Sequence, residues 1–284
     1  MSPTLRARLQ SGFLLGGAAI ALFVFAQPAL GLAVIAALGA IGLWEFFTLL
    51  DAARIPNFKV WGVLLGTGMM VGNGLILWLR PAQSGAMDAL LLYAAALIVF
   101  LRQFEDKNNV RPLETMAGTL MGILYVAFML SFFFRLVMLD GAMSGRWLLF
   151  FTVVVVKSTD IGAYFIGCAF GRHKLIPRIS PGKSWEGCAG GIATGLLVSL
   201  VFYWITGGRI GPAVFSIGKL ILLALLLSVA GILGDLIESL VKRAAGVKDS
   251  SALIAGMGGL LDVLDSLLLS VPVTYLFARL ALGM

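Results

Sequence analysis

The stretch IGKLILLALLLSVAGILGDLIESL, residues 217–240, decides the fold class of this chain. Its first part is apolar, and the whole stretch is long enough to cross a bilayer as a helix, for which about 20 residues suffice. The full sequence of 284 residues has the same character, with 60% hydrophobic and 12% charged residues and a mean hydropathy of +1.01. Soluble domains have about 25% charged residues, and a small globule has too much surface to hide so many apolar side chains. The sequence therefore predicts an integral membrane protein.

Apolar runs of similar length recur between charged breaks, and we interpret each as a transmembrane helix. The nine predicted spans are 11–27, 29–50, 60–79, 86–101, 113–134, 146–169, 188–206, 217–240 and 260–281. The first follows Arg6 and Arg8, but no small-residue cleavage site comes after it, so a retained helix is expected rather than a signal peptide. The predicted fold class is an all-α polytopic membrane protein.

The sequence has no internal repeat, no linker rich in Gly and Ser and no low-complexity tail. A single membrane domain over 1–284 is expected, with N-terminal hydrophobic spans in 1–150 and the spans that carry chemistry in 151–284. Glycines spaced by four residues indicate close helix packing. These glycines are Gly62, Gly66, Gly187, Gly191 and Gly195.

The basic residues predict how the spans are oriented, because cytoplasmic loops carry an excess of Lys and Arg. With the N-terminus inside, nine spans place the C-terminus outside. Fourteen basic residues are then inside: Arg6, Arg8, Arg54, Lys59, Arg102, Lys107, Arg111, Arg172, Lys174, Arg178, Lys183, Lys242, Arg243 and Lys248. Six are outside: Arg80, Arg135, Arg146, Arg209, Lys219 and Arg279. This asymmetry explains most of the net charge of +7 without nucleic acid as a partner.

The counts of cysteine and histidine restrict the metal chemistry of the protein. Two cysteines, Cys168 and Cys188, cannot form a disulfide framework, and a single histidine, His173, excludes multi-histidine metal sites. Carboxylates, carbonyls and water remain as ligands, and these favour a hard ion such as Mg²⁺.

Ionisable residues within the apolar runs are candidate functional groups, because charge is costly to place in a membrane. In the sixth span, Lys157 and Asp160 lie three residues apart on one helical face. They form either a structural ion pair or a polar face that lines a water-accessible cleft. In the first half of the chain Glu45 stands out, and a helix-end or packing role is favoured for it.

The loop GRHKLIPRISPGKSWEG, residues 171–187, gathers basic residues beside a helix that is predicted to start after Pro181 and Gly182. Helix N-termini favour anions, so Lys183 and Ser184 are candidates for cradling a phosphate. The loop lacks the GxxxxGK[ST] pattern and the preceding strand of a Walker A motif. Contact with lipid headgroups is the alternative role for its basic residues.

The densest group of charges lies in GDLIESLVKRAAGVKDSSALIAGMGGLLDVLDS, residues 234–266. Asp235 and Glu238 are three apart near the end of the eighth span, and Asp262 and Asp265 are three apart at the start of the ninth. If these spans pack as a hairpin, the two acidic pairs converge. The segment between them adds Lys242, Arg243, Lys248 and Asp249. Carboxylates that hold Mg²⁺ beside Lys and Arg suit metal-dependent phosphate chemistry.

At these motifs the sequence resembles the phosphatidate cytidylyltransferases, also called CDP-diacylglycerol synthases. The resemblance rests on GDLIESLVKR (234–243), VKDS (247–250) and GMGGLLDVLDS (256–266), with support from TDIGAYFIG (159–167) and from the loop 171–187. These blocks cover about residues 157–270. The N-terminal half is similar to the family only in being a set of hydrophobic spans.

The resemblance implies a nucleotidyltransferase that joins CTP to phosphatidate, giving CDP-diacylglycerol and pyrophosphate with Mg²⁺ as cofactor, in the phospholipid synthesis of the cell inner membrane. The family's acidic positions, which would hold the metal, fall on Asp235, Asp249, Asp262 and Asp265, and Lys242 joins them in the predicted catalytic group. The predicted substrate-binding residues are Lys157, Asp160, Lys183, Ser184, Arg243 and Lys248. A homodimer is common in the family, and the glycine-rich faces would permit one.

The chain departs from the family's pattern at three positions. Ala255 and Met257 stand where the family has the proline and histidine of a PGHGG turn, and Val263 stands where it has an arginine. Methionine cannot donate a hydrogen bond as histidine can, and valine cannot hold a phosphate. The departures therefore bear on substrate selectivity more than on metal binding.

Three alternatives to this function remain. A CDP-alcohol phosphotransferase also uses spaced aspartates and Mg²⁺, but its DG…AR block is missing, since the DG at Asp140 is not followed by AR. A cation-coupled transporter would bind its ion in mid-membrane, whereas Asp235, Asp249 and Asp262 are predicted at the inner ends of helices. An inactive relative is the third alternative, and the three departures motivate it.

Overall fold

The computed structural model describes residues 27–79, 84–139, 144–251, 253 and 258–284. Among these residues, eight helices are long and apolar enough to cross a membrane. They are α1 (Pro28–Ala52), α2 (Lys59–Leu79), α3 (Ser84–Glu105), α4 (Pro112–Val137, with a π-helical stretch at Ile123–Phe128), α5 (Arg146–Phe170), α6 (Trp185–Thr206), α7 (Ile217–Ala244) and α8 (Leu260–Ala281). The prediction of a polytopic membrane protein built from helices is confirmed.

These eight helices correspond to the second to ninth predicted spans. The first predicted span, 11–27, lies outside the described residues except for residue 27. The total of nine spans and the orientation of the two termini therefore stay predictions.

Helices α3 and α7 each end four residues beyond their predicted apolar runs. Helix α3 was expected to end at residue 101, but Arg102 Nη1 donates to Glu105 Oε2 at 2.5 Å, and this pair one turn apart lets charged residues continue the helix. Helix α7 continues past residue 240 to Ala244, with Lys242 and Arg243 in its last turn. Cations are favourable there because the C-terminal end of a helix carries partial negative charge.

In the part of the chain that the structure describes, the connections between helices contain four short strands: β1 (Lys174–Ile176), β2 (Ser180–Ser184), β3 (Arg209–Ile210) and β4 (Ala213–Val214). Strands β1 and β2 form an antiparallel hairpin in which Lys174 pairs with Ser184. The helix start predicted after Pro181 and Gly182 is therefore wrong. Ser184 is extended, with φ −129° and ψ 158°, and helix α6 begins after it, at Trp185.

The described residues form two compact units. The first unit comprises those of Met1–Arg135 and Val241–Val263, and the second comprises those of Leu136–Leu240 and Leu264–Met284. Both units draw on α7 and α8, so neighbouring residues of these helices belong to different units. The single domain expected from the sequence stays a prediction.

The first unit has an aromatic core between α1, α2 and α4. Phe46 and Phe47 of α1 are fully buried, and the ring centroids of Phe46 and Tyr125 are 5.8 Å apart. A Cβ atom at Gly66 would lie 2.7 Å from Leu43 Cδ1 and 3.0 Å from Ala127 Cβ, so α2 packs closely against its neighbours at this glycine. The close packing predicted from the glycine spacing is confirmed here.

The second unit packs α5 against α6 through a row of glycines. A Cβ atom at Gly191 would lie 2.7 Å from the backbone oxygen of Thr159, and one at Gly187 would lie 2.9 Å from that of Ala163. Because the obstacle is backbone rather than a side chain that can rotate, α6 needs glycine at both positions. This packing brings α5, which carries Lys157 and Asp160, alongside the start of α6.

Candidate active site

Three carboxylates of the second unit form an acidic group. Asp235 and Glu238 lie three residues apart on α7, and Asp265 lies on α8. Each offers a carboxylate oxygen within 4.8 Å of the other two. Glu238 is 1% and Asp265 9% exposed, whereas the side chain of Asp235 is 32% exposed. The convergence predicted for the two acidic pairs thus occurs for these three residues.

The two helices can approach this closely because α7 has a glycine beside the acidic group. A Cβ atom at Gly234 would meet the backbone oxygen of Asp265 and would lie 3.1 Å from Ser266 Cα. Any larger residue would push α8 away and separate Asp235 from Asp265. The glycine of the GDL motif is therefore a packing requirement of the acidic group.

Two lysines lie beside the acidic group. Lys183 Nζ is 2.9 Å from Asp235 Oδ2, and Lys157 Nζ is 3.9 Å from Asp265 Oδ1 and 3.4 Å from Asp160 Oδ2. With Asp160 included, four carboxylates face two lysines in this part of the described chain. The formal charge that remains is −2, which a divalent cation would balance. All six side chains lie within the second unit.

A serine hydroxyl links the carboxylates of α5 and α8. Ser266 Oγ lies 2.9 Å from Asp160 Oδ2 and 2.8 Å from Asp265 Oδ1, and Lys157 Nζ approaches it at 3.2 Å. The backbone N–H of Ser266 also donates to Asp265 Oδ1, at 2.5 Å. These contacts fix the orientation of Asp265 and keep Lys157 close to it.

The first unit contains Asp262 in a separate set of contacts. Lys242 Nζ donates to Asp262 Oδ1 at 2.6 Å. Its other oxygen, Oδ2, accepts from Gly259 N at 2.6 Å and from the N–H and hydroxyl of Ser250, each at 2.8 Å. The side chains of Lys242 and Asp262 are 13% and 7% exposed, so this is an ion pair largely shielded from solvent.

Arg243, in the last turn of α7, is exposed, and so are Lys248 and Asp249 on the segment that follows the helix. Gly258 has φ +92°, a conformation that favours glycine, and a Cβ atom there would lie 3.3 Å from Asp249 Cβ and 2.5 Å from Asp262 Oδ2. This turn therefore keeps Asp249 near Asp262. Ala255 and Met257, two of the departures from the family pattern, lie outside the described residues.

Ser184 has a structural contact that the sequence prediction did not include. Its hydroxyl is buried and accepts a hydrogen bond from Gly187 N at 3.1 Å, which makes it the N-cap of α6. Lys183, one residue earlier, extends to Asp235 and also donates to the backbone oxygen of Ile232. Of the two residues predicted to cradle a phosphate, Lys183 thus reaches the acidic group.

Residues 6–281 match the sequence profile described as the cytidylyltransferase family. The chain belongs to this family. The phosphatidate cytidylyltransferase of Bacillus subtilis is 33% identical over 254 residues, which cover 87% of this chain and 88% of that protein. That of Haemophilus influenzae is 46% identical over 129 residues, 45% of this chain and 44% of that protein, so this match spans less than half of the relative's length. The uncharacterized Escherichia coli protein YnbB is 32% identical over 243 residues, 84% of this chain and 76% of that protein.

The similarity to named phosphatidate cytidylyltransferases confirms the resemblance seen in the motifs, and cytidylyltransferases are nucleotidyltransferase enzymes. Because the family match extends from residue 6 to residue 281, the N-terminal helices belong to the family as well. The motifs that carry the resemblance begin only at about residue 157. The departures at Ala255, Met257 and Val263 thus occur in a chain that otherwise follows the family over nearly its whole length.

Several residues at these two groups were not among the predicted site residues, and Ser250, which donates to Asp262, is one of them. Glu238 lies three residues after Asp235 in the same motif, and it completes the acidic group. Ser266 directly follows Asp265 in the sequence LDS, and this position next to an acidic site residue is the feature by which it could have been predicted. Glu45 contacts the segment that holds Asp262. Its charge within an apolar run made it conspicuous in the sequence, but the separation of more than 200 residues gave no local signal of this contact.

We expect Ser184→Ala to lower the free energy of unfolding by about 1 kcal/mol, because the variant leaves an N–H of the first turn of α6 without its cap. Ser216→Ala is the matched control. Ser216 Oγ accepts from Lys219 N over a longer distance, 3.4 Å, at an exposed position, so the loss there is expected to be smaller. Unfolding of both variants in detergent measures the difference. Equal losses would contradict the role of Ser184 as a buried cap.

Proposed function

We propose that this protein transfers CMP from CTP to phosphatidate in the cytoplasmic membrane, producing CDP-diacylglycerol and pyrophosphate. The observation that carries the proposal is the acidic group of Asp235, Glu238 and Asp265 with Lys157 and Lys183 beside it, in a chain of the cytidylyltransferase family. Carboxylates and lysines gathered in this way suit a reaction between two phosphate-bearing substrates.

The acidic group fits Mg²⁺ as the cofactor. Asp235, Glu238 and Asp265 supply only carboxylate oxygens, which are the ligands that this ion prefers, and the formal charge around them favours a divalent cation. When bound, Mg²⁺ would polarise a phosphate group and offset its negative charge. Asp249 and Asp262 are proposed as further acidic residues of the reaction, as the resemblance implies.

The lysines would bind the phosphates of the substrates. Lys183 and Lys157 are each held by a carboxylate, so their ammonium groups are positioned beside the acidic group, and 21% and 37% of their side chains are exposed. We assign both to the charge of the triphosphate and the lipid phosphate. Lys242, Arg243 and Lys248 are also proposed as phosphate-binding residues, as the resemblance implies. Asp160 would keep Lys157 in place.

The chemistry needs no covalent intermediate with the protein. A phosphate oxygen of phosphatidate forms a bond to the α-phosphorus of CTP while the bond between the α-phosphorus and the bridging oxygen breaks, and pyrophosphate leaves with that electron pair. Transfers of this type depend mainly on positioning and on neutralising charge. The side chains that this chain provides, carboxylates and lysines without a histidine base among them, are sufficient for that task.

The acyl chains of phosphatidate would stay in the bilayer. Helix α5 continues beyond Asp160 with Ile161, Tyr164 and Phe165, which are 56%, 67% and 65% exposed. Large apolar side chains on the outside of a membrane helix contact lipid. A lipid phosphate could therefore reach Lys157 and Asp160 while its acyl chains lie along α5, and CTP would enter from the cytoplasm.

Purified protein in mixed micelles tests this function. With CTP, phosphatidate and Mg²⁺, we expect CDP-diacylglycerol and pyrophosphate in equal amounts, and EDTA should stop the reaction. Protein in liposomes that moves a cation or solute without consuming CTP would instead support the transporter. A well-folded protein with neither activity would support the inactive relative.

A further inference from the structure

A carboxylate from the first described helix lies against the start of the last one. Glu45 is a charged residue in the apolar helix α1, and it is buried, with only 4% of its surface exposed. Its Oε1 accepts from Ser251 Oγ at 2.6 Å and from Leu260 N at 3.0 Å. Its Oε2 accepts from Leu261 N at 2.9 Å and lies 3.3 Å from Ser250 Oγ. All five residues belong to the first unit.

These contacts explain why a charged side chain is tolerated at this place. A buried carboxylate is costly unless it receives hydrogen bonds, and bonds to an ionised oxygen are the strong ones. The N–H groups of Leu260 and Leu261 are among the first of α8, which have no acceptor within their own helix, and the N-terminal end of a helix carries partial positive charge. Glu45 therefore acts as an N-terminal cap supplied by a helix more than 200 residues away.

The capped turn also holds Asp262. Ser250 Oγ lies between two carboxylates, 2.8 Å from Asp262 Oδ2 and 3.3 Å from Glu45 Oε2, and its single proton serves one of them at a time. A Cβ atom at Gly259 would lie 2.7 Å from both oxygens of Glu45. The turn that brings Gly259 N to Asp262 therefore packs directly against the carboxylate of Glu45.

We infer that Glu45 is a positioning residue for Asp262, an inference that rests on the proposed function in which Asp262 takes part. Glu45 fixes the first turn of α8 and the serines before it, and these groups in turn orient the Asp262 carboxylate. The negative charge is essential because both oxygens of Glu45 accept hydrogen bonds. A glutamine has one accepting oxygen and would direct its NH₂ group at an N–H donor.

Glu45→Gln is the test variant, and two properties are measured on the purified full-length protein. Hydrogen exchange of the peptide that contains Leu260 and Leu261 reports the cap directly. Steady-state kinetics with CTP and phosphatidate report the reaction, and we expect kcat to fall by about 10–100-fold, the range found for residues that orient a catalytic group, with a smaller change in KM. Glu45→Asp, which keeps the charge, is expected to restore part of kcat.

Glu114→Gln is the matched control, because this exposed glutamate of the same unit pairs only at the surface with Arg111. Faster exchange with a lower kcat in Glu45→Gln alone is the expected result. Unchanged hydrogen exchange in Glu45→Gln would overturn the role of Glu45 as a cap. Faster exchange in Glu45→Gln with a normal kcat would overturn the positioning role. The positioning role would also be overturned if the kcat of Glu45→Asp were no higher than that of Glu45→Gln. If the wild-type protein has no turnover, the proposed function fails, and the exchange of Leu260 and Leu261 still decides whether Glu45 caps α8.

Discussion

Asp265→Asn is expected to lower the formation of CDP-diacylglycerol by more than about 100-fold, since loss of a residue that only orients a metal ligand already costs about 10–100-fold. Asparagine has the size of aspartate and keeps an oxygen for the two hydrogen bonds from Ser266. The substitution removes one of the three carboxylates of the acidic group and the charge that faces Lys157 at 3.9 Å. The fold is thus preserved while the proposed metal site is weakened.

The Mg²⁺ dependence makes this test specific. Turnover of Asp265→Asn is measured over a range of Mg²⁺ concentrations, and we expect any remaining activity to require more Mg²⁺ than the wild-type protein does. Asp51→Asn is the control, because Asp51 is 51% exposed and pairs with Lys59 at the surface. If Asp265→Asn turned over as fast as the wild-type protein at every Mg²⁺ concentration, Asp265 would not serve the reaction.

Asp262→Ala is expected to abolish CTP-dependent product formation while the protein remains folded. The substitution removes the acceptor of the backbone N–H groups of Ser250 and Gly259 and the carboxylate that pairs with Lys242. Loss of turnover by more than about 100-fold is expected, as for Asp265. Product formation and the unfolding temperature in detergent are measured together.

A double variant separates catalysis from stability at this position. Removing one partner of a shielded ion pair is destabilising, whereas replacing both partners by neutral residues is often nearly neutral. Asp262→Asn combined with Lys242→Met is therefore expected to unfold at a higher temperature than Asp262→Ala but to remain inactive. Recovery of turnover together with stability would mean that Asp262 has only a structural role.

The helices of the fold were predictable from sequence because hydropathy is a local property. A run such as 217–240 must cross a bilayer or be buried, whatever lies elsewhere in the chain. The ends were less predictable, since Arg102 and Glu105 continue α3 by pairing with each other after the apolar run has ended. Hydropathy does not detect that kind of compensation.

The start of α6 shows where local reasoning fails. The sequence predicts a helix that starts after Pro181 and Gly182 and contains Lys183 and Ser184, but these residues form a strand that pairs with Lys174–Ile176. The pairing partner lies across a turn, so the residues around Pro181 do not determine the outcome by themselves. Lys183 nevertheless reaches the acidic group, where its Nζ lies 2.9 Å from Asp235 Oδ2.

The acidic residues were predictable as a set but not in their arrangement. The spacing of three residues predicts the pairs Asp235 with Glu238 and Asp262 with Asp265. In the structure, Asp265 joins the first pair in the acidic group, and Asp262 forms an ion pair with Lys242. A helix rotates by about 300° over three residues, so two such side chains share a face without sharing partners. The partner that each acidic side chain contacts depends on the packing of other helices. The contacts of Glu45 are the clearest example.

The position of a label in CTP tests the central claim, cytidylyl transfer to a lipid, most directly. Purified protein is supplied with phosphatidate, Mg²⁺ and CTP that carries the label either on the α-phosphate or on the γ-phosphate. We predict that the α-label enters the lipid fraction and the γ-label appears in pyrophosphate, in equal molar amounts. Lipid that stays free of the α-label, or that receives the γ-label, would contradict the proposed reaction.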